Sequence, residues 1–105
     1  MSLAALYQQI DQSAWVDIPE GWLQGRTIYG GLVAAMLMHK AAAAAADDSK
    51  RLLSASVTFA GPVQFSRVKL TAEILRQGKS VTTVEARLWQ DGAVQSILLA
   101  QLRRA

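Results

Sequence analysis

The sequence predicts an α+β domain in which an antiparallel β-sheet wraps around one long central helix. Three observations carry this reading. Residues 32–46 are an alanine-, leucine- and methionine-rich run, apolar on every side as far as Met38, which is the composition of a buried helix. From Arg51 onward the chain reads as strand, much of it alternating apolar and polar residues with period two, and the strands are joined mostly by tight turns. Four or five such strands present one broad apolar face, and the single helix is the element available to cover it. The 105 residues suffice for one domain, spanning 1–105, and are too few for two.

Taken in order, Leu3, Leu6 and Ile10 suggest a short helix, and Trp15-Val16-Asp17-Ile18 a short strand. Pro19 and Gly21 break the pattern, and the glycine-punctuated run Gly25 to Gly31 leads into the central helix from Leu32 to Ala46. Asp47 and Asp48 follow it, where negative charge opposes the helix dipole. Leu53, Ala55, Val57 and Phe59 alternate with Ser54, Ser56 and Thr58, a half-buried strand stopped by Gly61-Pro62. Val68, Leu70, Ala72 and Ile74 form the next. Gln77-Gly78-Lys79 turns the chain into Ser80–Gln90, and Asp91-Gly92 is a hairpin signal, since a type I′ turn requires positive φ. The last strand, Ala93–Leu102, is apolar on both faces, as suits a central strand or one covered by a partner. One helix cannot seal both faces and both edges of this sheet, so self-association is expected.

Composition excludes several chemistries. There is no cysteine, so disulfides, thiolate metal sites and cysteine nucleophiles are ruled out, and the single histidine, His39, cannot form an imidazole metal cluster. Eleven basic against eight acidic residues give a mild +3, with the basic residues scattered from Arg26 to Arg104 along the sequence and no nucleic-acid track. The start lacks the basic n-region of a secretory signal, and no run approaches a membrane span, so no membrane partner and a cytoplasmic location are expected. Gly78-Lys79-Ser80 is not a phosphate loop, because Glu73 occupies the position of the required glycine and a strand follows. No serine sits in a Gly-x-Ser-x-Gly elbow. His39 reads as a packing or solvent-facing residue, and Trp15, Trp22 and Trp89 as core or interface anchors.

Gly30-Gly31 stands out. At the start of a buried helix the first backbone N–H groups are free and the dipole is positive. Glycine there lets a carbonyl or phosphate approach the backbone, although it also simply permits tight packing.

The run Trp22-Leu23-Gln24-Gly25-Arg26-Thr27-Ile28-Tyr29-Gly30-Gly31, then Phe59-Ala60-Gly61-Pro62-Val63 and Gly78-Lys79-Ser80-Val81-Thr82-Thr83-Val84-Glu85-Ala86, resembles the N-terminal half of acyl-CoA thioesterase II-like proteins of the hotdog fold. The resemblance covers about residues 20–102. It implies that Gly30 and Gly31 polarise a thioester carbonyl, with Tyr29 in the place of the family's aromatic or histidine. It also implies that Gln101 matches a water-orienting glutamine. The family's catalytic aspartate falls near Ser54 and its Ser/Thr near Ile74-Leu75, so neither is matched. The acid that single-hotdog relatives carry on the helix is replaced by Met38.

The expected function is therefore hydrolysis of fatty acyl-CoA thioesters, or a share in it. Gly30, Gly31 and Gln101 are the catalytic candidates; Tyr29, Arg26 and Lys79 are the substrate-binding ones, the last two assigned to the CoA phosphates by charge alone. No metal and no separate cofactor are implied, CoA being part of the substrate, and a homodimer or higher homo-oligomer is the expected assembly. The alternative is a non-catalytic acyl-CoA-binding or structural half that needs a partner domain, which the missing carboxylate favours. Dehydratase chemistry would want a histidine–carboxylate pair near the helix start, and His39 lies too far along.

Overall fold

The computed structural model describes residues 3–18, 23–24, 27–28, 30–45, 50–64 and 66–104. The elements follow the order α1 (Leu3–Gln12), β1 (Trp15–Asp17), β2 (Leu23–Gln24), β3 (Thr27–Ile28), α2 (Gly30–Ala45), β4 (Lys50–Phe59), β5 (Arg67–Gln77), β6 (Val81–Gln90) and β7 (Ala93–Arg104). Five strands form one antiparallel sheet in the order β1-β5-β6-β7-β4, while β2 and β3 pair separately. The expected sheet and central helix are both present.

Period two decides which face of the sheet meets α2. Val68 and Leu70 on β5, Val84, Ala86 and Leu88 on β6, and Leu98, Ala100 and Leu102 on β7 are buried, and they join Leu32, Val33, Met36, Leu37 and Ala41 of α2 in one core. Both predicted turns form. Gly78 N–H donates to Val81 C=O at 2.8 Å, and Asp91 and Gly92 take φ values of 53° and 79°, both positive as a type I′ hairpin needs.

α1 packs on α2 through Leu6 and Ile10, both buried. A polar clasp lies beside that contact: the Tyr7 ring stacks on His39 with centroids 4.1 Å apart, and His39 Nε2 lies 2.8 Å from Asp11 Oδ1.

The structure corrects four expectations. The helix begins at Gly30 rather than Leu32, so both glycines lie inside its first turn. The strand expected to be half-buried, β4, is the sheet's far edge and is exposed almost throughout, because α2 packs on β5, β6 and β7 and leaves it uncovered. Leu52, Leu53 and Phe59 are each more than half exposed there. Trp15 is also half-exposed, on the sheet face away from α2, which removes the core half of its core-or-interface reading. Finally, five of the eleven basic residues scattered along the sequence, Lys50, Arg51, Lys79, Arg103 and Arg104, are gathered at one end of the sheet by strand pairing. The apolar last strand, β7, is central, between β6 and β4. Trp22, Ala46, Asp47 and Asp48 lie outside the described residues.

Candidate active site at the helix N-terminus

Gly30 and Gly31 open α2, and no acidic residue occurs anywhere along that helix. Their N–H groups belong to the first turn, which has no preceding carbonyls to receive them. A side chain at Gly30 would lie 3.4 Å from Phe59 Cζ, so this end of the helix abuts the last residue of β4. Gly31 is exposed, leaving its backbone open to approach.

Directly across from Phe59 on β7 is Ser96, fully buried, whose hydroxyl has no hydrogen-bond partner among the described residues. An unpartnered buried hydroxyl costs stability. Sequence reasoning missed it. Its signal is a serine on the apolar side of a strand, in phase with Leu98 and Ala100.

The other expected site residues are placed elsewhere. Gln101 lies between buried Ala100 and Leu102 and is exposed, so it faces away from α2. It pairs with Ser54, whose hydroxyl donates to Gln101 Oε1 at 3.3 Å. Five residues of β4 separate Ser54 from Phe59, about 16 Å along the strand. The structure therefore does not bring Gln101 to the glycines within one chain. It does bring together the two positions that the resemblance marks for an aspartate and a glutamine. Thr83 pairs with Gln101 on its other side, giving a row of Ser54, Gln101 and Thr83 across three strands. That row contains no carboxylate. In the next row of the same face, Glu85 sits opposite Glu73 on β5, and Arg87 Nε donates to Glu85 Oε1 at 2.6 Å.

Lys79 is exposed in the β5–β6 turn, next to Ser80, whose carbonyl receives Arg104 N–H. Arg104 pairs with Lys50, at the opposite end of β4 from Phe59, so Lys79 is on the order of 30 Å from Gly30. Arg26 and Tyr29 lie outside the described residues. His39 does have a carboxylate partner, Asp11, but it is nine residues along α2 from Gly30, about 13 Å. That pair clasps two helices and lies too far from the glycines to act on a carbonyl held there.

A cavity of about 630 Å³ lies on the outer face of the sheet. Trp15, Lys69, Thr71 and Trp89 line it, with Lys69 Nζ 5.8 Å from the Trp15 ring and Trp89 Nε1 donating to Thr71 Oγ1 at 2.9 Å. Size alone does not connect it with the free amides, which are on the other face. Among the described residues no three acidic or histidine side chains cluster as metal ligands, and no helix is long and apolar enough to cross a membrane.

A five-stranded antiparallel sheet in this order wrapped on a central helix is the hotdog fold. The sequence matches the acyl-CoA thioesterase N-terminal domain family over residues 18–104, and the chain belongs to that family. Among solved structures it is similar to a phenylacetic acid degradation-related protein from Ralstonia eutropha, at 20% identity and a TM-score of 0.78, covering 98% of this chain and 92% of that one. It is likewise similar to a protein from Thermobifida fusca described as a thioesterase II, at 23% identity and a TM-score of 0.75, covering 90% of this chain but 39% of that one. A Bacillus halodurans protein solved with CoA matches at 17% identity and a TM-score of 0.71, over 85% of this chain and 64% of that one. At these identities the structures speak for the fold. No curated protein matches the sequence.

Proposed function

We propose that the chain hydrolyses the thioester of fatty acyl-CoA, or supplies the half of a site that holds the thioester while it is hydrolysed. The observation that carries this is the first turn of α2, where Gly30 and exposed Gly31 carry N–H groups with no preceding helical carbonyls, at the start of a helix buried under a hotdog sheet. Water attacks the carbonyl carbon, and the oxyanion that forms accepts hydrogen bonds from these amides. The carbon–sulfur bond then breaks, the thiol of CoA leaves with a proton, and a carboxylic acid remains. Preorganised donors of this kind stabilise the transition state without reorganisation. No separate cofactor takes part, and the reaction belongs in the cytoplasm.

Ser96 is the hydroxyl best placed to orient water or substrate there. Ser96→Ala is expected to leave the melting temperature unchanged or raised, since it removes a buried unpartnered group, while lowering kcat about tenfold. Equal kcat in the variant removes Ser96 from the mechanism.

The alternative is a half that binds acyl-CoA and needs a partner domain for chemistry. It is favoured by the absence of a carboxylate from α2 and from the row Ser54, Gln101 and Thr83. Thiol release from a panel of acyl-CoA substrates decides between the two. Turnover supports the hydrolase, whereas thermal stabilisation by a non-hydrolysable analogue without turnover supports the binding half. Neither turnover nor binding ends both.

The assembly we infer is a homodimer joined through β4. This ten-residue edge strand offers unpaired backbone groups together with Leu52, Leu53 and Phe59, the kind of edge that pairs unless it is blocked. Leu53→Lys is expected to yield a monomer by light scattering at micromolar concentration where the unaltered chain gives a dimer. A monomeric unaltered chain contradicts the assembly.

A further inference from the structure

We propose that the cleft on the outer face of the sheet, between Trp15 and Trp89, is a binding site for a planar aromatic carboxylate. It lies on the opposite side of the sheet from Gly30 and Gly31 and stands independently of the acyl-CoA reading.

The first observation is the way strand register builds the walls. Trp15 on β1 lies opposite Lys69 on β5, and Lys69 lies opposite Trp89 on β6, so the three form one row across three strands. Their neighbours Val16, Val68, Leu70, Leu88 and Gln90 are buried, which turns the whole row outward. The two indoles therefore arise two strand spacings apart, about 10 Å, on either side of the lysine. Trp15 is 52% exposed, a large apolar surface left to water. The cavity between them holds about 630 Å³, within the range of small-molecule sites, and Ser66, Arg67, Thr71 and Asp91 also line it.

The second observation is that the walls are held in place. Trp89 Nε1 donates to Thr71 Oγ1 at 2.9 Å. The β6–β7 register shifts between Leu88 and Trp89, and irregularities of this kind re-aim a side chain. Buried Gln90 donates through Nε2 to Gln64 C=O and to Ser66 Oγ, both at 2.9 Å, which ties Gln64 and Ser66 to β6. A site built before its ligand arrives loses little freedom on binding.

The third observation selects the charge of the ligand. Lys69 is half-buried with its Nζ 5.8 Å from the Trp15 ring centroid, and none of the ion pairs among the described residues includes it. The nearby carboxylates are level with other cations. Arg67 has Asp17 at 3.2 Å, and Asp91, two residues past Trp89, falls level with Arg67 when the β5–β6 register is continued. Glu85 is held by Arg87. The ammonium between the indoles thus repels a cationic ligand and attracts an anionic one. Thr71 adds a second donor, because its oxygen accepts the indole N–H and its own hydrogen is free for a ligand oxygen. A carboxylate accepts from Lys69 and Thr71 while its ring lies against an indole. An alkyl acid meets the same donors but forgoes the offset stacking that a ring gains.

The probe is 2-naphthoate, titrated calorimetrically into the unaltered chain, Trp15→Ala and Lys69→Met, with a melting temperature recorded for each. Saturable binding is expected in the unaltered chain and roughly tenfold weaker binding in Trp15→Ala. Trp15 is half-exposed, and Lys69→Met keeps an unbranched apolar stem, so both variants should melt within a few degrees of the unaltered chain. The alcohol 2-naphthylmethanol has the same rings and no charge. It should bind the unaltered chain roughly tenfold more weakly than naphthoate, while Lys69→Met should bind the two alike. Equal affinity of the unaltered chain for both would overturn the role of Lys69, and this comparison stands even if Trp15→Ala fails to fold. Octanoate tests the ring, and affinity equal to that of naphthoate would overturn the aromatic assignment. Naphthoate binding that survives both substitutions, or that Gly31→Val abolishes, would place the ligand elsewhere and overturn the cleft. Absence of saturable binding overturns the proposal outright. If Trp15→Ala then also lowers the mass in solution, the cleft is an interface between copies instead.

Discussion

Replacing Gly31 by valine is expected to reduce thioester turnover by roughly 10²–10³-fold, the usual consequence of losing an oxyanion donor. The side chain would stand over amides that the substrate carbonyl must reach, at an exposed position in the first turn of α2. The fold should tolerate the change, because valine has the higher helix propensity of the two and position 31 is exposed. Full retention of kcat in a folded Gly31→Val protein would remove the helix start from the mechanism. Unchanged melting with lost turnover is the pattern that separates a catalytic role from a packing role.

The largest expected effect on stability is at Leu37. This side chain is fully buried where α2 meets the sheet, and Leu37→Ala removes transfer free energy and leaves a cavity, costing about 2–5 kcal/mol. For a domain of this size that corresponds to a fall in melting temperature of roughly 10–30 °C, a large part of total stability. Leu99, 42% exposed on the opposite face of β7, is the control, and its alanine variant should melt within a few degrees of the unaltered chain. Similar losses at the two positions would mean that the apolar side of the sheet has been wrongly assigned.

The contrast between these leucines shows what local pattern reveals. Alternation along β6 and β7 fixes which residues face the helix, and the alanine-rich composition of α2 fixes what lies under them. The same parity applied to Gln101 turns it away from the glycines, even though resemblance groups the three as one site. Parity fails in β4, where the register shifts between Leu52 and Ser54. It also cannot show that the strand after the helix ends up at the sheet edge beyond the helix's reach. Alternating Leu53, Ala55, Val57 and Phe59 therefore reads as half-buried and is exposed, a face that a second copy would complete.

The site divides in the same way. The glycine pair was legible because helix N-termini carry their chemistry in the backbone, and glycine is the residue that leaves it open. Ser96 was not, since a serine within an apolar strand gains meaning only once its hydroxyl is found buried beside Phe59. The basic end was still less visible. Lys50 and Arg51 open β4 while Arg103 and Arg104 close β7, and only the pairing of these two strands joins them.

By itself, then, the sequence determined the class of fold, its helix and its turns, because those follow from side-chain period, helix propensity and the φ that glycine allows. Tertiary structure decided which strand is the edge, where Gln101 points and where the positive charge gathers. Each of these depends on long-range register, which no local pattern of residues encodes.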